Sequence, residues 1–220
     1  MERDKLLKKI DSFKDELINM RRHIHAHPEL SGLENQTAIL ISGYLKKIGG
    51  RVTESVGRTG VVADFGPKDK GFIGLRVDMD ALPIYENTNL SFSSKIDGIM
   101  HACGHDLHTC IGLGVAKIIK DLNLKFGTRI IFQPAEEIAS GARWMIDDGV
   151  TIGLKQILGV HVFPDLLVGT IGIKEGSLTA AAGELTVEIL GKSAHGARPH
   201  EGVDAIWAAS KVISGIQEAI

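Results

Sequence analysis

The sequence predicts an α/β protein, in which helices alternate with the strands of a sheet. Short runs rich in β-branched and aromatic residues alternate with longer segments whose apolar residues recur at helical spacing. Polar residues follow several of the predicted strands, where the binding sites of α/β sheets commonly lie. A chain of 220 residues can hold one domain, or one domain and part of another.

The first part of the chain is predicted to be helical. Apolar residues recur at helical spacing from Leu6 to Ile24, which predicts one amphipathic helix ending before Pro28. A second helix carries its apolar face from Ala38 to Ile48 and ends at the Gly49-Gly50 pair. Alternate positions on a helix point in different directions, so the histidines at 23, 25 and 27 are predicted to be structural.

Strands and helices alternate in the central part of the chain, and the predicted elements are strands at 61–65 and 72–77, a helix at 106–121, a strand at 129–132, a helix at 142–148 and a strand at 157–162. The first two strands are bounded by glycine and proline. We expect them to be neighbours in the sheet, joined by turns.

The pattern changes after Ile173. Glu184 to Leu190 alternates like a half-exposed strand, and Val203 to Ile220 has the spacing of an amphipathic helix. One strand and one helix bury too little surface to be stable alone. We therefore predict one domain at residues 1–178 and the beginning of a second domain at residues 179–220, inside which the chain stops.

Composition argues against several classes of partner. The 25 basic and 27 acidic residues form no basic stripe, so a nucleic-acid partner is not expected. Charges interrupt the apolar residues of Met1 to Ile10, and no stretch is apolar and long enough to span a bilayer. We expect a cytoplasmic protein without a membrane partner. Cys103 and Cys110 are the only cysteines, and we expect them to be reduced, buried or bound to metal.

The strongest local signal for chemistry is the segment His101-Ala-Cys-Gly-His-Asp-Leu-His108, which leads into a predicted helix. Thiolate and imidazole ligands suit zinc and neighbouring transition ions, and additional carboxylates allow manganese or cobalt. Gly104 permits a tight bend that could aim Cys103 and His105 at one point. The alternative is a structural loop with hydrogen-bonded histidines and a small buried cysteine.

Carboxylates follow two of the predicted strands. Gln133-Pro-Ala-Glu-Glu137 contains adjacent carboxylates, which repel each other unless a cation or a shared proton relieves them. One of the pair could bind metal while the other acts as a base. The alternative is an acidic helix N-terminus stabilised by the helix dipole. Asp78 and Asp80 follow another strand, and His161 ends a third. Taken alone, such a histidine is more often a core residue than a ligand.

Several motifs occur in order along nearly the whole chain, namely Arg21-Arg-His-Ile-His-Ala-His-Pro-Glu-Leu-Ser31, Leu75-Arg-Val-Asp-Met-Asp-Ala-Leu-Pro83, His101-Ala-Cys-Gly-His-Asp106, Gln133-Pro-Ala-Glu-Glu137, Gly159-Val-His161 and Gly191-Lys-Ser-Ala-His195 with Pro199-His200. Together they resemble the amidohydrolase subgroup of the M20 peptidase family, which contains hippurate hydrolases, indole-acetyl-amino-acid hydrolases and N-acetyldiaminopimelate deacetylases.

The resemblance implies a fold and a set of site residues. The fold would be a mixed-sheet, aminopeptidase-like di-metal hydrolase domain with helices on both faces, followed by the start of an α+β lid and dimerisation domain. The cofactors would be two divalent metal ions (Zn, Mn, Co or Ni), and the implied ligands are Cys103, His105, Glu137 and His161. Glu136 would be the general base, Asp78 would support the catalytic centre, and His195 would reach the active site of a partner subunit.

The implied activity is metal-dependent hydrolysis of the amide bond of N-acyl amino acids. The near alternative is an exopeptidase of the same family, acting on short peptides. The alternative from another class is a non-catalytic remnant that retains metal binding or dimerisation. Members of the family continue through the rest of the lid to a further histidine ligand, and the full-length protein would form a homodimer through the lid. His195 has its own alternative, a loop histidine hydrogen-bonded near His200.

Overall fold

The computed structural model describes residues 3–122, 124–178 and 185–219. The chain divides into two compact units, Met1–Asp165 and Leu166–Ile220. The first unit contains the helices α1 (Arg3–Asp11), α2 (Lys14–Ala26), α3 (Asn35–Lys47), α4 (His105–Ile119) and α5 (Gly141–Asp147), and the strands β1 (Arg51–Val56), β2 (Gly60–Phe65), β3 (Phe72–Asp78), β4 (Gly127–Gln133) and β5 (Leu154–Gly159). The predicted domain boundary between residues 178 and 179 remains a prediction.

The five strands form a mixed sheet in the order β1-β2-β4-β3-β5. Strand β2 is antiparallel to β1 and β4, whereas β3 is parallel to β4 and β5. The mixed α/β fold is therefore confirmed. The expectation that β2 and β3 are neighbours was wrong, because β4 lies between them. Nearly every residue of β4 is buried, and the strand that can bury both faces takes the centre of the sheet.

Helices cover both faces of the sheet, as predicted. On one face, Ile41 of α3 and Leu113 of α4 share a buried core with Phe132 of β4. On the other face, Met145 of α5 packs in a smaller cluster with Ile131. Phe132 and Ile131 are consecutive in β4, and successive side chains of a strand point to opposite faces. One strand therefore contributes to both clusters.

The amino-terminal helix predicted from Leu6 to Ile24 is two helices, and the prediction of a single one was wrong. The chain leaves helical geometry at Phe13, whose φ is −128°. Phe13 is buried, with Nζ of Lys117 lying 4.9 Å from its ring centroid. Helix α1 buries none of its residues Arg3–Asp11. Helical spacing continues across the break, so burial of Phe13 and not local propensity decides where the chain turns.

The sequence also missed β1 and shifted β5. Strand β1 is an exposed edge strand with little apolar character, so its sequence carries a weak strand signal. Strand β5 begins at Leu154, earlier than predicted, and its hydrogen bonds to β3 set these limits. His161 consequently lies in the loop after β5 and not within the strand.

The second unit contains one α-helix, α6 (Ala205–Ala219), in its described residues, close to the predicted helix. Lys192 and Val203 form an isolated β-bridge before it. The strand predicted at 184–190 is wrong for residues 185–190, which form no strand; residue 184 lies outside the described residues. A strand needs a hydrogen-bonded partner, and the alternating pattern alone does not supply one. In the described ranges, no helix has the length and apolar character needed to cross a membrane.

Candidate metal centre

Most of the predicted site residues meet at one edge of the sheet. Strands β3 and β4 are parallel, with Asp78 opposite Gln133, so their carboxyl ends lie side by side. Helix α4 begins nearby with His105. Candidate ligand atoms within 4.8 Å of one another form three overlapping groups, which are Cys103 with His105 and His161, Asp78 with His105 and His108, and His105 with Glu136 and Glu137. His105 belongs to every group and is the centre of the arrangement.

Gly104 makes the bend that brings Cys103 and His105 together, as predicted. Its φ is +84°, in the left-handed region that glycine adopts at little steric cost. A Cβ atom at this position would lie 2.5 Å from Cγ2 of Val162, in the loop that carries His161. Glycine therefore permits both the turn into α4 and the close approach of the neighbouring loop.

The hydrogen bonds of His105 leave one nitrogen available to a cation. Its Nδ1 lies 3.0 Å from both the backbone oxygen and Oδ1 of Asp80. Both atoms only accept hydrogen bonds, so a proton is assigned to Nδ1, and Nε2 carries the lone pair when the ring is neutral. Burial alone would lower the pKa of His105, but the hydrogen bond to Asp80 and the charge of Asp78 raise it, so a cation and a proton compete for Nε2. Among residues 3–122, 124–178 and 185–219, this buried Nε2 has no hydrogen-bond partner. A buried nitrogen with a free lone pair fits a metal ligand.

Carboxylates surround that nitrogen at distances longer than a hydrogen bond. Nε2 of His105 lies 3.6 Å from Oδ1 of Asp78, 3.7 Å from Oε1 of Glu137 and 3.9 Å from Oε2 of Glu136. Oε1 of Glu137 is also buried and lacks a hydrogen-bond partner within the described ranges. Burial raises the pKa of Glu137, with Glu136 and Asp80 adding to the effect. A cation between these groups would relieve the repulsion between the carboxylates.

Cys103 and His161 provide further donors beside His105. Nδ1 of His161 lies 2.7 Å from the carbonyl oxygen of Val162, which assigns the proton to Nδ1 and leaves Nε2 3.5 Å from Sγ of Cys103. Burial and the charge of Glu137 raise the pKa of the Cys103 thiol to about 12. A thiol becomes a ligand as the thiolate, and a bound cation favours that form.

His108 completes one of the ligand groups, but its nitrogens are already engaged. Its Nδ1 lies 2.5 Å from Oδ1 of Asp78, and its Nε2 accepts a hydrogen bond from the backbone N–H of Val162 at 2.9 Å. A histidine with both nitrogens engaged has no lone pair for a metal. His108 instead connects the end of β3 with the loop that carries His161.

Asp78 is buried beside the candidate ligands. Besides His108, it contacts Nη1 of Arg76, which lies 2.7 Å from Oδ2 of Asp78. Burial alone would raise its pKa, but the hydrogen bond from His108 and the charges of His105 and Arg76 lower that pKa below the ordinary value. Asp78 is therefore an anion fixed at the edge of the sheet, within 4 Å of Nε2 of His105.

Asp80 was missed as a site residue, although the sequence pointed to it in the pair after β3. Its Oδ1 accepts from His105, and its Oδ2 accepts from the Ser31 hydroxyl at 2.6 Å and from the backbone N–H of Glu137 at 3.0 Å. One carboxylate thus orients a candidate ligand and fixes the backbone of another. Side chains two positions apart in a strand point to the same face, so the spacing of Asp78 and Asp80 could have indicated that both lie on the side of the candidate site.

His195 lies in the second unit and is described only within it. Its Nδ1 accepts a hydrogen bond from the backbone N–H of Ala197 at 3.2 Å, and its carbonyl oxygen accepts one from Arg198. The side chain is exposed. These contacts hold a local turn, and the predicted role of His195 in a partner's site remains a prediction.

A second buried polar cluster begins at Asp106, the residue after His105. Oδ2 of Asp106 lies 2.7 Å from Nδ1 of His25 and 2.7 Å from Nε of Arg21. Nε2 of His25 lies 3.2 Å from Oε1 of Glu86. The hydrogen bond with Asp106 raises the pKa of His25, burial opposes it, and Glu86 adds to the increase. Both ring nitrogens face carboxylates, so the imidazolium form of His25 joins α2 to the start of α4.

The donors fit a divalent transition metal. A thiol, the Nε2 atoms of two imidazoles and a carboxylate converge on one region, and soft and borderline ligands of this kind suit such ions. The mixed sheet and the grouped donors define a class of α/β proteins that bind divalent metal ions at the carboxyl ends of their strands. Within that class, the chain belongs to the peptidase family M20/M25/M40, whose family model matches residues 74–219. The predicted family is confirmed.

Proteins similar to this chain are named as a hydrolase, a deacetylase and an amidohydrolase. A probable hydrolase of Synechocystis sp. is 52% identical over 93% of this chain and 53% of its own length. An N-acetylcysteine deacetylase of Bacillus subtilis is 46% identical over 95% of this chain and 56% of its own length. An N-acyl-L-amino acid amidohydrolase of Geobacillus stearothermophilus is 38% identical, covering all of this chain and 60% of its own length. This chain spans about half the length of these relatives.

Solved structures agree with the fold and with metal binding. A dinuclear metal-binding peptidase of the M20 family from Bacillus subtilis has a TM-score of 0.72 and 48% sequence identity, over 76% of this chain and 48% of the other. A putative aminohydrolase from methicillin-resistant Staphylococcus aureus has a TM-score of 0.83 and 34% identity, over 98% of this chain and 59% of the other. The similarity to a dinuclear protein and the grouped donors support binding of divalent metal ions.

The cluster around His25 predicts a specific dependence of stability on pH. A histidine whose pKa is higher in the folded state stabilises the fold fully below its unfolded value, here 6.5, and this contribution is lost as pH rises through the folded pKa. We predict that the free energy of unfolding, measured by urea denaturation between pH 6 and 8, falls with rising pH more steeply in the wild type than in His25→Gln. A control variant of the exposed His200, His200→Gln, should follow the wild type. Identical slopes in the wild type and His25→Gln would contradict the assignment.

Proposed function

We propose that the whole protein hydrolyses the amide bond of N-acyl amino acids with the help of two divalent metal ions. The observation that carries this proposal is the buried Nε2 of His105, which has no hydrogen-bond partner among the described residues, faces carboxylates on one side and lies in one donor group with Cys103 and His161. The relatives named as deacetylases and amidohydrolases support the choice of reaction.

We propose Cys103, His105, Glu137 and His161 as the metal ligands within this chain. The tautomers of both histidines support this choice, since hydrogen bonds at Nδ1 leave both Nε2 atoms available. The raised pKa values of Cys103 and Glu137 support it too, because each group would be costly as an uncompensated anion. A thiolate with imidazoles favours Zn, and the carboxylate allows Mn, Co or Ni.

Glu136 is the proposed general base, and Asp78 is proposed to support it. The side chain of Glu136 is 39% exposed, so it can meet a substrate and a water molecule, while its Oε2 lies 3.9 Å from Nε2 of His105. Bound divalent ions supply Lewis-acid polarisation of the amide carbonyl and lower the pKa of water. Glu136 would accept the proton of the attacking water and return it to the leaving amine. Arg76, fixed by Asp78, has Nη2 4.0 Å from Oε1 of Glu136.

An exopeptidase of the same family is the near alternative, because both reactions break a linear amide with the same groups. The similarity to a metal-binding M20 peptidase keeps this alternative open. A remnant that binds metal without catalysis is the alternative from another class. Activity assays of the full-length protein with N-acyl amino acids and with short peptides, compared at equal metal content, would separate the three.

The metal ligands are tested through the two cysteines. We predict that the purified protein contains divalent transition metal, measured by plasma mass spectrometry, and that Cys103→Ala weakens metal binding by at least about tenfold. Cys110→Ala is the matched control, because Cys110 is buried within α4 and belongs to none of the three candidate ligand groups. Equal metal content in both variants, or negligible metal in the wild type, would contradict the ligand assignment.

The general base is tested in the full-length protein. Glu136→Gln should lower kcat by on the order of a hundredfold or more, with metal content nearly unchanged, because the change removes a base and not a ligand. Glu54→Gln, a change at an exposed carboxylate of β1, is the control and should retain wild-type turnover. If Glu136→Gln keeps its turnover, another group is the base.

We propose that His195 acts on the active site of a partner subunit in a homodimer, where it would stabilise the oxyanion of the tetrahedral intermediate. Full-length His195→Ala subunits mixed with Glu136→Gln subunits should regain activity, since a mixed dimer contains one complete site. His200→Ala in the same loop should be active by itself. No recovery despite demonstrated subunit exchange would mean that His195 does not act in trans.

A further inference from the structure

Glu34 is a fully buried carboxylate that belongs to none of the candidate ligand groups. It lies just before α3. Its Oε1 accepts hydrogen bonds from the backbone N–H groups of Gly32 and Ala135, each at 2.8 Å, and its Oε2 accepts one from the hydroxyl of Thr59. In the part of the chain that the structure describes, Glu34 forms no ion pair with Lys, Arg or His. Its negative charge is therefore balanced by these donors.

The bond to Ala135 fixes an unfavourable backbone conformation directly before Glu136. Ala135 has φ of +49°, in the left-handed region that residues with a Cβ rarely adopt. Such a conformation persists when the surroundings determine it, and it is found more often at functional sites than elsewhere. The backbone N–H of Ala135 is buried against Glu34. Glu34 is thus one of the groups that hold this turn in place.

The residue on the other side of Glu136 is held in the same way. The backbone N–H of Glu137 donates to Oδ2 of Asp80 at 3.0 Å. Buried carboxylates therefore bind the amide groups both before and after Glu136. Among the described residues, the basic groups that approach the side chain of Glu136 are distant, with Nε2 of His105 at 3.9 Å and Nη2 of Arg76 at 4.0 Å. The direction of the Glu136 side chain is consequently set mainly by its backbone.

The short segment from Ser31 to Glu34 contributes to the hydrogen bonds on both sides of Glu136. Ser31 donates its hydroxyl to Oδ2 of Asp80, the same atom that accepts from Glu137, and Glu34 accepts from Ala135. Thr59, in the connection between β1 and β2, holds the other oxygen of Glu34. This explains why a segment without a metal ligand contacts the candidate metal centre at two points.

We propose that Glu34 is a positioning residue for the general base: by fixing the backbone of Ala135, it holds the carboxylate of Glu136 in the direction needed for proton transfer. This inference rests on the proposed function, because it assigns Glu34 a role through Glu136. A small displacement of a catalytic group is enough to slow proton transfer strongly, while ligands on other segments are unaffected.

The test compares two substitutions of Glu34 in the full-length, metal-loaded protein. Glu34→Ala removes the acceptor and should lower kcat by roughly tenfold or more, with KM and metal content little changed. Glu34→Gln keeps an oxygen that can accept from Gly32 and Ala135, and it should restore most of the lost kcat. Thr59→Val is the control, because it removes the hydroxyl that donates to Oε2 of Glu34 and leaves the hydrogen bond between Glu34 and the backbone N–H of Ala135.

A second measurement reads the geometry without activity. Hydrogen exchange of the Ala135 backbone amide should be faster in Glu34→Ala than in the wild type and should return toward the wild-type rate in Glu34→Gln. If Glu34→Ala is too unstable to assay, Glu34→Asp replaces it, since the shorter carboxylate cannot reach Ala135 and should cause the same loss of kcat.

Wild-type kcat in Glu34→Ala, or an equal loss of kcat in Glu34→Gln and Glu34→Ala, would overturn the proposal. Unchanged exchange at Ala135 would overturn it as well. A wild-type protein that neither binds metal nor hydrolyses amides would instead refute the proposed function. In that case the exchange measurement still decides whether Glu34 holds the turn at Ala135.

Discussion

The rest of the candidate site depends on the hydrogen bonds that the carboxylate of Asp80 accepts. This carboxylate accepts hydrogen bonds from Ser31 before α3, from His105 at the start of α4 and from the backbone of Glu137 after β4. These segments are far apart in the sequence, and the parallel pairing of β3 with β4 brings them to one edge. Burial strengthens each bond, because a buried acceptor without donors would be strongly unfavourable. The same bonds decide which nitrogen of His105 remains free.

The free nitrogen lies in a region of excess negative charge. Asp78, Glu136 and Glu137 each approach Nε2 of His105 to within 4 Å, and none of them donates a hydrogen bond to it. Arg76 compensates Asp78, but Oε1 of Glu137 is buried and has no partner in the described ranges. Asp78 and His105 are buried, and hydrogen bonds to His108 and Asp80 hold them in place. Such an arrangement favours a bound cation over a set of protonated side chains.

Sequence reasoning succeeded where the signal was local. The loop with Cys103 and His105 was recognisable because donor residues are dense there and Gly104 permits the bend, and the helical and β-rich patterns were sufficient for the α/β class. It failed where long-range contacts decide the outcome. Strand order depends on pairing across the sheet, so the insertion of β4 between β2 and β3 left no local trace. The roles of Asp80, His108 and Glu34 likewise depend on hydrogen-bond partners far along the chain.

The most direct test of this account is a crystal structure of the metal-loaded protein, with anomalous diffraction measured at the absorption edge of the bound metal. We predict anomalous peaks for two ions at this edge of the sheet, with Nε2 of His105, Nε2 of His161, Sγ of Cys103 and a carboxylate oxygen of Glu137 each at bonding distance from one of them or both. We also predict that His108 keeps its bonds to Asp78 and Val162. A peak bound by His108 in place of His161, or the absence of a peak near His105 in protein that contains metal, would contradict this account.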